Sequence, residues 1–135
     1  MIVRSARPED RPSIRALAAR LGLDYEDMEG DRFWIAEDGG RLAGLVGLKR
    51  HVDCLELVGL GVDPELRSGG IGGRLVAALA AAAESDVYLA TIIPPYFARL
   101  GFGKAESIPA GMAKAPSWCE GCSGIGCTIM VRRRS

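Results

Sequence analysis

The chain has 135 residues, 48% hydrophobic and 25% charged, the size and make-up of one globular domain spanning residues 1–135 around one core. Its 17 basic and 17 acidic side chains cancel, so no long-range field draws it to nucleic acid or to an anionic membrane, and neither is expected as a partner. No apolar stretch approaches the ~20 residues that span a bilayer, and residues 1–7 lack the apolar region of a signal peptide, so a cytoplasmic location is expected.

Ile2 and Val3 read as a short strand. Arg7-Pro8-Glu9-Asp10 then places proline and acids where a first helical turn prefers them. Ile14, Leu17, Ala18 and Leu21 recur at helical spacing and predict an amphipathic helix ending near Gly22. Residues 23–30 are acidic and poor in aliphatic anchors, which predicts a loop or a brief second helix. A strand at 33–37, a tight turn at Asp38-Gly39-Gly40 and a returning strand at 41–49 make a hairpin. Leu42, Val46 and Leu48 fill one face of the returning strand and Ala43 and Leu45 the other, so it should lie centrally. Residues 55–62 continue the sheet. Ile71, Leu75, Leu79 and Ala82 form one face of a long helix. Further elements are a strand at 87–92, a short helix opened by Pro94-Pro95 and running through Leu100, and a last strand at 125–131. Arg132, Arg133 and Arg134 read as a solvated tail. There is no repeat, low-complexity tract or domain linker.

The informative segment is Leu60-Gly61-Val62-Asp63-Pro64-Glu65-Leu66-Arg67-Ser68-Gly69-Gly70-Ile71-Gly72-Gly73, where a strand passes through a glycine-rich turn into a helix. Such a junction binds phosphate, because unpaired amides at the helix start carry the positive end of the helix dipole and glycines let a pyrophosphate approach the backbone. It is not a nucleotide P-loop, which ends in Gly-Lys-Ser/Thr. Nor is it the dinucleotide fingerprint, since the preceding strands are antiparallel.

The whole pattern resembles the acetyl-coenzyme A motif of the GNAT superfamily of N-acetyltransferases, Arg/Gln-x-x-Gly-x-Gly/Ala, matched by Arg67-Ser68-Gly69-Gly70-Ile71-Gly72. Tyr96-Phe97-Ala98-Arg99-Leu100-Gly101-Phe102 resembles a second family element, so the likeness covers nearly the whole chain. The resemblance implies an α/β domain of the GNAT fold, with a mixed, mainly antiparallel central sheet flanked by helices. It implies acetyl-CoA as cosubstrate, with backbone amides around Leu60, Gly61 and Val62 on the pantetheine arm and thioester. The amides of Arg67, Ser68, Gly69, Gly70, Ile71, Gly72 and Gly73 would then hold the pyrophosphate. Dimerisation through the last strands is a further implication.

Acyl transfer from a thioester needs a neutral amine, a site that polarises the carbonyl, and a proton for the thiolate. Glu56 is the candidate base. Strand alternation puts it on one face with Val58, Leu60 and Val62, and its spacing before Arg67 is similar to that of the glutamate base in several family members. Many relatives carry a tyrosine as acid four residues before the glycine of the Gly-Phe pair. Phe97 stands there in this chain, which leaves the neighbouring Tyr96, water or the unaided thiolate for that role, and makes Phe97 and Phe102 packing residues.

The Glu56-Leu57-Val58-Gly59-Leu60-Gly61-Val62 stretch with Arg67, and the ending from Trp118-Cys119-Glu120-Gly121-Cys122 through Cys127, resemble the acetyltransferase domain of N-acetylglutamate synthases. That implies a small-molecule amine acceptor, L-glutamate, and a place in arginine biosynthesis. Short GNAT enzymes for phosphinothricin-like or arsenical amino acids share the Phe-Ala-Arg-Leu-Gly-Phe feature and imply detoxification instead. A GNAT module that binds acyl-CoA without catalysis is the alternative of another class. Arg4, Lys49, Arg50 and Arg99 could meet an acceptor carboxylate. Cys119, Cys122 and Cys127, with Cys54 or His51, could hold zinc or form a redox pair, but the spacing is irregular, and ordinary thiols with no metal are the expectation.

Overall fold

A computed structural model describes residues 1–25, 28–66, 70–113 and 128–134. Strand β1 (Ile2–Ser5) leads through a 3₁₀ turn at Pro8–Asp10 into helix α1 (Arg11–Arg20). The helix stops at Gly22, whose φ of 70° is open to glycine at little cost. Gly22 N–H donates to the Ala19 carbonyl and Leu23 N–H to that of Ala18 (3.2 and 2.8 Å), a Schellman ending that sends Leu23 back across the sheet. The acidic segment that follows includes a single 3₁₀ turn, Met28–Gly30, anchored by the buried Met28.

β2 (Arg32–Asp38) and β3 (Arg41–Arg50) form the expected hairpin, turning at Gly39 and Gly40 with φ of 59° and 80°. β3 continues into β4 (Leu55–Val62) through a short turn in which His51 N–H donates to the Cys54 carbonyl at 2.9 Å. A second 3₁₀ turn, Pro64–Leu66, precedes helix α2 (Ile71–Ala82).

Two compact units divide the chain: Met1–Lys49 with Leu57–Ala82, and Arg50–Glu56 with Ala83–Ser135. In the first, the hydrogen-bonded strand order is β1-β2-β3-β4. α1 covers one face, where Ile14, Leu17 and Ala18 pack with Met28, Phe33, Ile35 and Leu45. α2 covers the other, and a Cβ on Gly44 would lie 3.0 Å from Leu75 Cδ1 and 3.3 Å from Ile71 Cγ2. Cover on both faces is why every residue from Ala43 to Leu48 is buried, as the sequence of β3 predicts.

In the second unit, Leu55 and Glu56 at the start of β4 pair in parallel with Val87 and Tyr88 of β5 (Val87–Thr91). β5 pairs antiparallel with the last strand, Thr128–Arg132, and that strand with a two-residue strand, Gly103–Lys104, so these become β7 and β6. Helix α3 (Pro94–Ala98) is shorter than the expected 94–100, and α4 (Ala110–Ala113) has no sequence counterpart. Phe97 and Phe102 are buried edge to face at 5.8 Å, the packing role expected of them. The sheet is mixed and mainly antiparallel, as expected. Residues 125–127 of the predicted last strand lie outside the described residues. Among the described residues no helix is long and apolar enough to cross a membrane.

Candidate active site

The strand that should carry the thioester is not regular. Gly59, in the middle of β4, has φ of 58°, a left-handed residue inserted in a strand. Neighbouring contacts show the effect. A Cβ on Gly47 would meet Val58 Cγ2 (3.0 Å) and Phe33, on the α1 side. Cβ atoms on Gly59 and Gly61 would point to that same side, toward Tyr25 Cε1 (3.8 Å) and Leu23 Cδ1 (2.3 Å). Two consecutive residues, 58 and 59, therefore face one way, which is a β-bulge. This corrects the expectation that Glu56 shares a face with Val58, Leu60 and Val62: the shared face ends at Val58, and Leu60 and Val62 point the other way.

Gly61 serves a close approach. Its missing side chain leaves the place that Leu23 fills, with Leu21 Cδ1 at 3.0 Å from the same point. The Schellman turn after α1 thus lays residues 21–25 along the bulged part of β4. Tyr25 is held there by donating to Asp31 at 2.5 Å, and Lys49 is 3.3 Å from the same carboxylate and over the Tyr25 ring.

Where β4 ends, Asp63 acts as a fastening. Its side chain is 3% exposed and accepts from Arg20 at 2.6 Å, from Arg41 at 2.9 Å and from the Glu65 N–H at 3.0 Å. Its own N–H donates to the Ala43 carbonyl at 2.8 Å. The Glu65 N–H first, then the two guanidiniums, hold this carboxyl below its usual range against the opposing effect of burial. The last turn of α1, the start of β3 and the approach to the glycine loop all meet on one oxygen pair. Asp63 lies in the informative segment, but local spacing gives no sign of this role, since its partners are 43 and 22 residues away.

Of the expected pyrophosphate residues, Arg67, Ser68 and Gly69 lie outside the described residues. Gly70 is exposed with φ of 69° and open space where a Cβ would be. Its carbonyl accepts from Arg74 N–H at 3.1 Å, which makes Arg74 the first intrahelical donor of α2. The amides of Ile71, Gly72 and Gly73 come before that donor and have no partner within the helix. A glycine-rich helix start, with its one side chain, Ile71, turned into the core, fits a diphosphate.

Glu56 is buried, 5% exposed, and so is not a solvated acid at the strand start. Its Oε1 lies 2.7 Å from His51 Nε2. His51 enters the sequence analysis only as a zinc ligand; the signal for this contact is a lone histidine five residues before the candidate base. Tyr96 is half-buried on α3 with its ring edge-on to Phe97 at 5.1 Å, and its N–H bonds the Ile93 carbonyl. Cys119, Cys122 and Cys127 lie outside the described residues. Cys54 is described, and burial first, then Asp53, pushes its thiol up to about 11, away from the thiolate that a metal or a redox partner needs. The four candidate carboxylate binders each have a partner: Arg4 holds Asp10 and Glu37, Lys49 Asp31, Arg50 Glu84, and Arg99 the Pro95 carbonyl.

Residues 3–102 match the family model described as acetyltransferase (GNAT) family. No curated protein sequence matches the chain. Among solved structures, the chain is similar to N-acetylglutamate synthase from Neisseria gonorrhoeae complexed with coenzyme A and N-acetyl-glutamate, with 28% identity, TM-score 0.75, and cover of 100% of this chain and 36% of that one. For the same enzyme complexed with coenzyme A and L-arginine the values are 30%, 0.73, 98% and 32%. The chain thus spans about a third of the length of these two matches. Rv2747 from Mycobacterium tuberculosis, in complex with CoA and NLQ, shares the fold at 24% identity and TM-score 0.74, with 98% of this chain and 99% of that one covered.

Proposed function

The chain belongs to the GNAT acetyltransferase family, and we propose on that basis that it is an N-acetyltransferase using acetyl-CoA. The acceptor we infer is a small acidic amino acid, with L-glutamate and a step of arginine biosynthesis as the specific assignment. The observation that carries the reading is the arrangement along β4. A buried carboxylate, Glu56, stands three residues before a bulge, and the helix that follows the strand in sequence begins with amides that have no partner within the helix. The likeness to the gonococcal synthase, bound to coenzyme A and N-acetyl-glutamate, supports the acceptor.

In this mechanism the amides of Gly70, Ile71, Gly72 and Gly73, with Arg67, Ser68 and Gly69, bind the diphosphate of acetyl-CoA. Leu60, Gly61 and Val62 hold its pantetheine arm. A bulge turns carbonyls and amides out of the sheet ladder, and so supplies backbone N–H groups for the arm and for the oxyanion that forms during attack. Glu56 takes the proton of the acceptor ammonium. The neutral amine attacks the thioester carbonyl, the tetrahedral adduct loses its extra N–H proton to water and collapses to the amide, and the thiolate leaves to take a proton from water or from Tyr96, which solvent then reprotonates. Transfer is direct, in a ternary complex, without an acetyl-enzyme.

The test is release of free coenzyme A from acetyl-CoA against L-glutamate, phosphinothricin, other amino acids, polyamines, aminoglycosides and a lysine peptide. Glutamate-dependent turnover supports the assignment, and preference for phosphinothricin moves it to detoxification. Binding of acetyl-CoA with no turnover of any amine would favour a non-catalytic acyl-CoA-binding module.

A further inference from the structure

The 2.7 Å contact between His51 and Glu56 has no counterpart in the chemistry described so far. Both residues belong to the same compact unit and are joined by the short turn between β3 and β4. The turn is fastened at three points. His51 N–H donates to the Cys54 carbonyl at 2.9 Å, Asp53 accepts from Gly111 N–H of α4 at 3.2 Å, and Glu56 sits in the sheet opposite Tyr88. Gly111 presses directly on the ring: a Cβ there would lie 2.8 Å from His51 Cβ and Cγ and 2.9 Å from Asp53 Oδ1. α4 therefore requires glycine at this point, because any side chain would displace His51 or Asp53.

The side chain of Glu56 is 7% exposed and that of His51 23%. A carboxylate so deeply buried loses most of its hydration and needs a donor to stay ionised. Nε2 is that donor. Among the described residues, the turn itself adds the titratable Asp53 and Cys54, Tyr88 of β5 stands opposite Glu56 in the sheet, and α4 faces His51 with the uncharged Gly111.

We propose that His51 is a positioning residue of the reaction, holding the Glu56 carboxylate through Nε2 in the one orientation from which it accepts the proton of the acceptor amine. The base is then a histidine–glutamate pair, with His51 as the Nε2–H tautomer while Glu56 is ionised. This rests on Glu56 being the base, and the experiment separates the two claims.

Three variants are compared by coenzyme A release, with L-glutamate and with whichever amine of the panel turns over fastest: His51→Leu, which fills the space without a donor, His51→Gln, which restores an N–H, and Glu56→Gln. His51→Leu should lose roughly tenfold to hundredfold in kcat, the worth of a hydrogen bond to a charged group, with KM for acetyl-CoA unchanged. His51→Gln should recover most of that loss. In a Glu56→Gln background His51→Leu should cost little more, because the two act as one unit. A loss of the same size in both backgrounds, or equal rates for the Leu and Gln variants, overturns the positioning role while leaving the base assignment standing. A wild-type rate for Glu56→Gln overturns the base assignment itself. The chain has one histidine, so its ring nitrogens can be assigned by NMR without activity. Nε2 should carry the proton, and its resonance should move in Glu56→Gln; an Nδ1–H tautomer insensitive to residue 56 overturns the proposal.

Discussion

Gly59 and Gly39 allow a controlled test of the β4 bulge, because they share a left-handed φ, 58° and 59°, in very different places. A Cβ at Gly39 would meet nothing within 4 Å, and one at Gly59 only ordinary contacts at 3.8 and 4.0 Å. Alanine therefore brings no steric clash at either position. What remains is the cost of a left-handed L-residue, roughly 1 kcal/mol in each case. For a chain of this length that lowers Tm by roughly 3–5 °C. The two variants should thus melt alike. They should bind coenzyme A differently, because relaxing the strain at Gly59 returns β4 toward regular alternation and turns Leu60, Gly61 and Val62 over. A misplacement that forfeits one good backbone hydrogen bond weakens binding by about tenfold. Thermal unfolding and titration calorimetry with coenzyme A measure both quantities. Equal coenzyme A affinity for Gly59→Ala and wild type, or an equal loss in Gly39→Ala, would refute the link between the bulge and cosubstrate binding.

Gly70→Glu should abolish coenzyme A binding, since it places a carboxylate and a left-handed strain beside the open amides of α2; unchanged affinity in the same calorimetric assay would remove the loop assignment. Glu56→Gln should lower the rate most at low pH, where the acceptor amine is most protonated, and a pH-rate profile parallel to wild type would exclude Glu56 as base. Asp63→Ala should strand the Arg20 and Arg41 guanidiniums and free the Glu65 N–H, raising KM for acetyl-CoA more than it lowers kcat; the reverse split would place Asp63 in the chemical step. Asp10 is held at about 2 by Arg4 first and then by the Arg7 N–H. A depressed carboxyl stabilises the fold above its unfolded pKa of about 3.9 and loses that contribution as pH falls toward 2. Acid unfolding followed by circular dichroism should be shallower in Arg4→Met than in wild type over that interval.

The elements that bury one clear stripe were legible in the sequence. α1, the β2–β3 hairpin and α2 follow from apolar spacing and from the Gly39-Gly40 turn, and their bounds agree with the structure to within a few residues. The open helix start at Gly70 followed from glycine content. Less was legible where one residue changes the rule. Gly59 reads as one small residue in a strand with glycine on either side of Leu60, and nothing local says that it is left-handed. Glu56 was found by its place before the motif. Its burial and its partner depend on α4, a four-residue helix too short to show a period. Asp63 gathers arginines from α1 and β3, a long-range convergence that spacing cannot report.

The seat of Leu23 over Gly61 bears on how the segment after α1 could change without disturbing β4. This fastening is a socket made by an absent side chain rather than by a matched polar partner, so at that one point the sheet asks for a branched apolar residue of no fixed identity. Its neighbours are more exacting, since Gly22 is left-handed, Tyr25 donates to Asp31 and Met28 is buried. A socket of this kind accepts an exchange of one apolar side chain for another more readily than a hydrogen-bonded pair accepts a change of either partner.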